Sequence, residues 1–226
     1  MDATPLILSL EIALLATAFS IVIGIAAAWF VLRLRRAQAL LDGILTLPMV
    51  LPPTVVGFAL LLLMGKNGPV GALLNQLGIS VIFTPAAAVV AATVVAIPLM
   101  YRTVRGAMEQ LDPDLAAAGR TLGMSEWRIF VQVTLPGCMP GIAAGTVLSF
   151  ARALGEFGAT MMVAGNIPGK TQTMSIAIYS AVQAGKAHYD EALFWTAIIC
   201  LMSFAGMLAV NLWNSIYVRR KGGKGR

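Results

Sequence analysis

Apolar residues in this chain do not alternate with polar ones; they run in long blocks separated by short polar stretches. A hydrocarbon core of about 30 Å is crossed by roughly 20 apolar residues in a helix. Five blocks meet that length: Leu6 to Leu32, Ile44 to Met64, Pro85 to about Val104, Gly137 to Val163 and Ala192 to Tyr217. The pattern predicts an all-α polytopic membrane protein with about five transmembrane helices. The first block contains Ala16-Thr17-Ala18, which resembles a signal-peptidase site, but no basic residue precedes the run and it continues to Leu32. It therefore reads as a spanning helix and not as a cleaved signal.

The polar positions mark how these blocks are joined. Leu47-Pro48-Met49-Val50-Leu51-Pro52-Pro53-Thr54 interrupts the start of the second block with three prolines, each lacking an amide donor. A kinked, partly buried entry is expected, since freed carbonyls in a bilayer need protein or water partners. Gly65 to Gly78 reads as an outer loop with a short interfacial helix. The one long polar segment is Gln110 to Pro136, and it predicts two short helices joined at a glycine. Asp112 suits an N-cap, Pro113 the first helical position, and Asp114 the positive end of the helix dipole. Gly123 can take the left-handed conformation that ends such a helix, and Ser125 can cap a second one carrying Trp127, Ile129, Phe130 and Val133. Leu135-Pro136-Gly137 should stop it. Small residues on one part and bulky apolar ones on the other suit insertion into another protein's groove.

Composition sharpens this picture. Of 226 residues, 58% are hydrophobic and 12% charged, and no linker separates two soluble-sized halves, so residues 1–226 read as a single transmembrane domain. The net charge of +6 would point to nucleic acid in a soluble protein, but here the basic residues sit at the ends of apolar blocks, and no nucleic-acid partner is expected. Twelve of them (Arg33, Arg35, Arg36, Arg102, Arg105, Arg120, Arg128, Arg219, Arg220, Lys221, Lys224, Arg226) fall on one side and three (Lys66, Lys170, Lys186) on the other. By the positive-inside rule the N-terminus lies outside, and the polar segment and C-terminus lie in the cytoplasm. Cys138 and Cys200 have no metal-ligand spacing and read as packing residues.

The polar segment resembles the EAA loop of permease subunits of bacterial and archaeal ABC importers. That pattern is Glu-Ala-Ala, three residues, Gly, nine residues, an aliphatic residue, one residue, Leu-Pro. Ala117, Ala118 and Gly119, then Gly123, Val133, Leu135 and Pro136 keep every spacing, while the motif glutamate is replaced by Ala117 and its second alanine by Gly119. The resemblance implies a type I ABC importer permease fold in which residues 110–136 pass ATPase motion to the spans. The coupling contacts would come from Ala117, Ala118, Gly119, Leu122, Gly123, Trp127, Val133, Leu135 and Pro136.

A second resemblance covers the fourth block and the loop after it. Arg152 and Glu156 are four apart within an apolar run and so are expected to share a helix face, where they can neutralise one another. The run FARALGEFGATMMVAGNIPGKTQT is similar to that of molybdate/tungstate permeases, with sulfate/thiosulfate permeases as more distant relatives. Arg152, Gly155, Glu156, Phe157, Gly158 and Thr160 are the pathway candidates, against the alternative that the pair only fixes helix register. Asn166, Pro168, Gly169, Lys170 and Thr171 are candidates for touching a delivery protein. The stretch Ala164 to Thr171 also fits a loose phosphate-loop pattern, but it follows a spanning helix and Pro168 lacks the amide donor such a loop needs.

These features lack a nucleophile, a base and a metal set, so a transport subunit without its own chemistry and without a cofactor is expected. The resemblance implies a homodimer in membrane lipid, cytoplasmic ABC ATPase subunits and an extracytoplasmic oxyanion-binding protein. Sulfate/thiosulfate transport is the alternative within this class. An ion-coupled secondary transporter is a further one, which one deep carboxylate and no evident repeat disfavour.

Overall fold

The computed structural model describes residues 2–34 and 36–222. Arg35, Lys224 and Arg226 of the charge count lie outside the described residues. The helices are α1 (Thr4–Val31), α2 (Gln38–Val50), α3 (Pro53–Met64), α4 (Pro69–Gln76), α5 (Pro85–Glu109), α6 (Pro113–Thr121), α7 (Glu126–Ile129), α8 (Leu135–Gly137), α9 (Met139–Leu154), α10 (Gly158–Ala164), α11 (Met174–Gln183) and α12 (Tyr189–Gly222). A π-helical turn, Phe130–Thr134, joins α7 to α8. Among the described residues three helices are long and apolar enough to cross a membrane, and up to five spans result if each of two bent pairs counts as one.

α5 is the axis of the molecule, packed by α1 on one side and α9 on another. The buried face of its first half is mostly small, with Ala87, Ala88, Ala91, Ala92 and Ala96 fully buried, and that of its second half carries Met100, Tyr101 and Val104. Lipid is as apolar as any side chain, so membrane helices associate through close packing and hydrogen bonds rather than through burial as such. α1 answers with Ala13, Ala16, Ser20, Gly24 and Ala28, spaced three or four apart and all buried. A side chain at Gly24 would come 2.5 Å from Met100 Cγ, and one at Gly145 of α9 would come 2.3 Å from Thr103 Oγ1. Ser149 donates to the Ala96 carbonyl at 3.3 Å. At the far end, Ser9 of α1 accepts the Met174 N–H that opens α11, at 2.8 Å.

Two blocks expected as single spans are broken. The second turns by 113° between α2 and α3. Pro48 is accommodated inside α2, and the break falls at Leu51 and Pro52, which adopt extended ψ of 143° and 135°. Successive prolines at 52 and 53 push the residue before each away from helix, which sets the break there rather than at the first proline. The fourth block is not one helix: α9 ends at Leu154, residues 155–157 are irregular, and α10 restarts at Gly158. The expected second helix of the polar segment is likewise interrupted by the π turn, and it bends 70° into α9 after Gly137.

The two broken spans pack on each other. Gly158 lies against Pro53, and Gly57 against Ala159. A side chain at Gly57 would stand 2.7 Å from the Ala159 Cα and 2.8 Å from the Met162 Cβ, and the first of these is backbone that has little room to yield. Gly57→Val is therefore expected to destabilise the fold by about 1–3 kcal/mol, as overpacking does. The check is a lowered melting midpoint of the detergent-purified protein, with Gly106→Ala, where a side chain meets nothing within 4 Å, as the tolerant control.

α2 has no buried residue. Leu41 and Leu45 pack part-buried against the core, and polar contacts tie α2 to α5, with the Asp42 carboxylate receiving both Arg105 and the Tyr101 hydroxyl. Arg105 also donates to Glu109 at 2.8 Å.

Candidate functional site

The polar segment folds as a compact two-helix knob. Asp112 Oδ1 accepts the Asp114 N–H at 2.9 Å, opening α6 behind Pro113. α6 ends at Thr121 with Leu122 as its cap, Gly123 takes φ of +74°, and the Met124 N–H folds back to the Gly119 carbonyl at 3.0 Å. Ser125 Oγ then accepts the Arg128 N–H at 3.3 Å and starts α7. The left-handed glycine closes the first helix and the serine opens the second, so the turn between them is fixed by its own local bonds.

Ile129 and Phe130 are buried and carry the knob on the body of the protein. Gly119 faces Ile129, and a side chain there would come 3.0 Å from Ile129 Cγ1. The glycine in place of the pattern's alanine thus makes room for a branched partner. Ala117, Ala118 and Gly123 are exposed, Leu122 is 80% exposed and Trp127 63%, while Val133 and Leu135 are half-buried and Pro136 is exposed. The knob therefore presents Ala117, Leu122 and Trp127 outward.

Charges brace the knob in a way the sequence pattern did not reveal. Arg120 Nε donates to Glu126 Oε1 at 2.7 Å, and Arg33, at the end of α1, reaches Glu126 Oε2 at 3.0 Å. The Arg120 hydrogen bonds hold the Glu126 carboxyl below the usual carboxylate range, and the Arg33 charge acts in the same direction. Arg33 lies over the Trp29 ring, 3.8 Å from its centroid. Trp29 in turn packs on Phe130 and Trp127, with centroids 4.9 and 6.1 Å away. Glu126 is thus the carboxylate that ties the two knob helices to each other and to the end of α1. No periodicity links Arg33 to a residue 93 positions later, so only the fold reveals the contact.

In the broken fourth span, Arg152 and Glu156 do meet, at 2.6 Å, although they do not share a helix. Glu156 is 2% exposed and its Oε1 accepts the Ala159 N–H at 2.8 Å, so one carboxylate both holds Arg152 and satisfies the first turn of α10. Gly155 is exposed, and the Phe157 ring packs on Tyr179 with centroids 5.2 Å apart. Gly158 and Thr160 face inward and are buried. The six candidates thus lie at one break, with Arg152, Gly155 and Phe157 on its open side.

In the loop after α10, Asn166, Pro168, Gly169 and Lys170 are exposed, but Thr171 is fully buried. Its hydroxyl accepts the Ile167 N–H and donates to the Gly165 carbonyl, so Thr171 shapes the loop from inside rather than offering a contact. Asn166 is held by Ser180 and Gln172. The amides of Lys170, Thr171 and Gln172 all turn onto the Ile167 carbonyl, which leaves no cradle for a phosphate.

Residues 20–222 match the family described as the binding-protein-dependent transport system inner membrane component. The chain is 43% identical over 220 residues to the molybdenum transport system permease protein ModB of Escherichia coli K12, covering 96% of this chain and 95% of that protein. It is 36% identical over 209 residues to the sulfate transport system permease protein CysT of the same organism, covering 92% of this chain and 75% of that protein. Among solved structures, it is similar to a chain of the inward-facing MetNI methionine ABC transporter, with a TM-score of 0.70 and 19% identity, covering 92% of this chain and 94% of that one. At that identity the likeness is one of fold alone.

Proposed function

Because the chain belongs to the family of binding-protein-dependent transport system inner membrane components, we propose that it is the permease through which an ATP-driven importer moves molybdate, and with it tungstate, across the inner membrane. It is a multi-pass, non-catalytic subunit that works with a substrate-binding protein and an ATPase. The observation that carries the substrate is identity of 43% with a molybdenum permease over almost the whole of both chains, against 36% with a sulfate permease of which a quarter is left uncovered.

The chain acts as one transmembrane domain whose knob, residues 110–136, docks in the ATPase. Leu122 and Trp127 enter the groove, Ala117, Ala118 and Gly123 allow close approach, and Gly119, Val133, Leu135 and Pro136 hold the shape. Displacement of the knob is passed through the π turn and α8 into α9, and so to the break at Glu156. The spans are too few to enclose a route, so two copies line it about a twofold axis, with Arg152, Gly155 and Phe157 facing it. Glu156 neutralises the arginine, which keeps the path only weakly attractive to a dianion and lets it leave. The N-terminus is outside and the C-terminus cytoplasmic, so the loop of Asn166, Pro168, Gly169 and Lys170 faces the binding protein.

The test is ATP hydrolysis and uptake by the permease reconstituted with its ATPase and binding protein, with molybdate, tungstate, sulfate or no anion. Stimulation by molybdate and tungstate and not by sulfate is expected. Stimulation by sulfate alone would keep the importer and change its substrate, and uptake without ATP would overturn the importer.

A further inference from the structure

Beside the knob, a cleft of about 270 Å³ opens between the end of α1 and helices α6 and α7, lined among others by Trp29, Leu32, Arg33, Arg120, Glu126 and Phe130. Its chemistry differs from that of the transport path. Two guanidinium groups share a single carboxylate here, since Arg33 and Arg120 both bond Glu126, and so the cleft keeps a net positive charge. A guanidinium carries five N–H donors, and the contacts to Glu126 occupy only some of them on either arginine. Arg33 lies over the Trp29 ring, an arrangement that holds the cation in place at an aromatic wall.

The cleft also continues onto an apolar surface. At 100° per residue, Phe19, Val22, Ala26 and Phe30 fall on one face of α1, and all four are exposed. This stripe runs along the helix and ends beside Trp29 and Arg33, where an aromatic and basic pair marks the bilayer interface. A cationic pocket at the head of an apolar stripe of this length matches a molecule with an anionic head and a long hydrocarbon tail.

We propose that the cleft between α1 and the knob binds the phosphodiester head group of an anionic phospholipid, with Arg33 and Arg120 as its ligands and an acyl chain along Phe19, Val22, Ala26 and Phe30. The phosphate oxygens compete with Glu126 for the two guanidiniums, and the lipid then ties α6 and α7 to the end of α1. The site is independent of which anion the protein carries.

The assay is native mass spectrometry of the permease–ATPase complex released from nanodiscs of equal phosphatidylglycerol and phosphatidylcholine. Selective retention of phosphatidylglycerol is expected. Each arginine near a membrane surface contributes about 1 kcal/mol toward an anionic lipid, or about fivefold, so Arg33→Gln with Arg120→Gln should weaken retention about 25-fold. Glu126→Gln removes the competing carboxylate and should strengthen retention, the opposite of what simple loss of knob structure would do. Equal retention of the two lipids, retention unchanged in the double arginine variant, or weakening by Glu126→Gln would each overturn the site. Displacement by 10 mM inorganic phosphate as complete as by added phosphatidylglycerol would assign the cleft to a free anion and overturn the lipid. Retention by the permease alone but not by the complex would show that the ATPase fills the cleft, and that too would overturn it.

Discussion

Leu122→Asp is expected to abolish uptake and ATPase co-purification while leaving the amount of protein in the membrane unchanged. Leu122 is 80% exposed at the end of α6, beside a glycine whose left-handed turn is made by backbone bonds. Its side chain therefore contributes little to the fold of the isolated chain, and a carboxylate there remains in water. In a groove the same carboxylate would be stripped of water without a partner, at a cost of several kcal/mol. That is enough to weaken docking by a factor of a thousand or more. Leu122→Ala removes only the apolar contact, about 2 kcal/mol, and should weaken docking about thirtyfold. The pair of variants is read by affinity pull-down of the ATPase and by uptake in the same vesicles. Uptake retained in Leu122→Asp would mean that the knob docks through some other face.

Glu156→Ala should have the second largest effect, and here stability and transport are separable. The carboxylate is buried, holds Arg152 at 2.6 Å and accepts the Ala159 N–H at 2.8 Å. Breaking a buried ion pair costs about 3–5 kcal/mol, and the arginine side chain, a third exposed, recovers part of this from its surroundings. A net loss of about 2–3 kcal/mol and loss of uptake are expected, read by thermal unfolding in detergent and by uptake in vesicles. Glu156→Gln keeps an acceptor for Ala159 and should cost less. Combining it with Arg152→Met removes both charges and should return stability toward the parent protein. If the pair lines the path, uptake stays impaired in that double variant; if the pair only fixes register, uptake returns with stability.

The parts of this molecule legible in the sequence are those governed by bonds between near neighbours. Asp112, Pro113, Gly123 and Ser125 take their expected roles at the helix ends because each acts on amides within three residues of itself. The apolar blocks were legible for a similar reason, as bilayer thickness acts on every residue of a run. The break in the fourth block was not, because an unbroken apolar run looks the same whether its helix continues or not. Gly155 and Gly158 flanking Glu156 were the only local sign, and what holds the break open is a carboxylate capping the next helix while paired to the last one. In the second block the prolines announced a kink, but Pro48 stays helical and Pro52 and Pro53 set the turn. The Arg33–Glu126 brace and the Asp42–Arg105 contact join residues far apart in the chain, and no pattern of spacing encodes them.

The bond from Met174 to Ser9 spans 165 residues and governs how the chain is built as well as how it stands. At roughly 5–20 residues per second, a ribosome needs on the order of 10–30 s to reach α11 after α1 has emerged. During that interval the N-terminal end of α1 waits with its serine unanswered, while its middle can already pair with α5. Biogenesis is therefore expected to proceed from the centre of the bundle outward, with the rim where Ser9 meets Met174 sealed last. A nascent chain arrested before Met174 should expose Ser9 to water-soluble thiol reagents in the form of Ser9→Cys, and one arrested after α11 has left the ribosome should protect it.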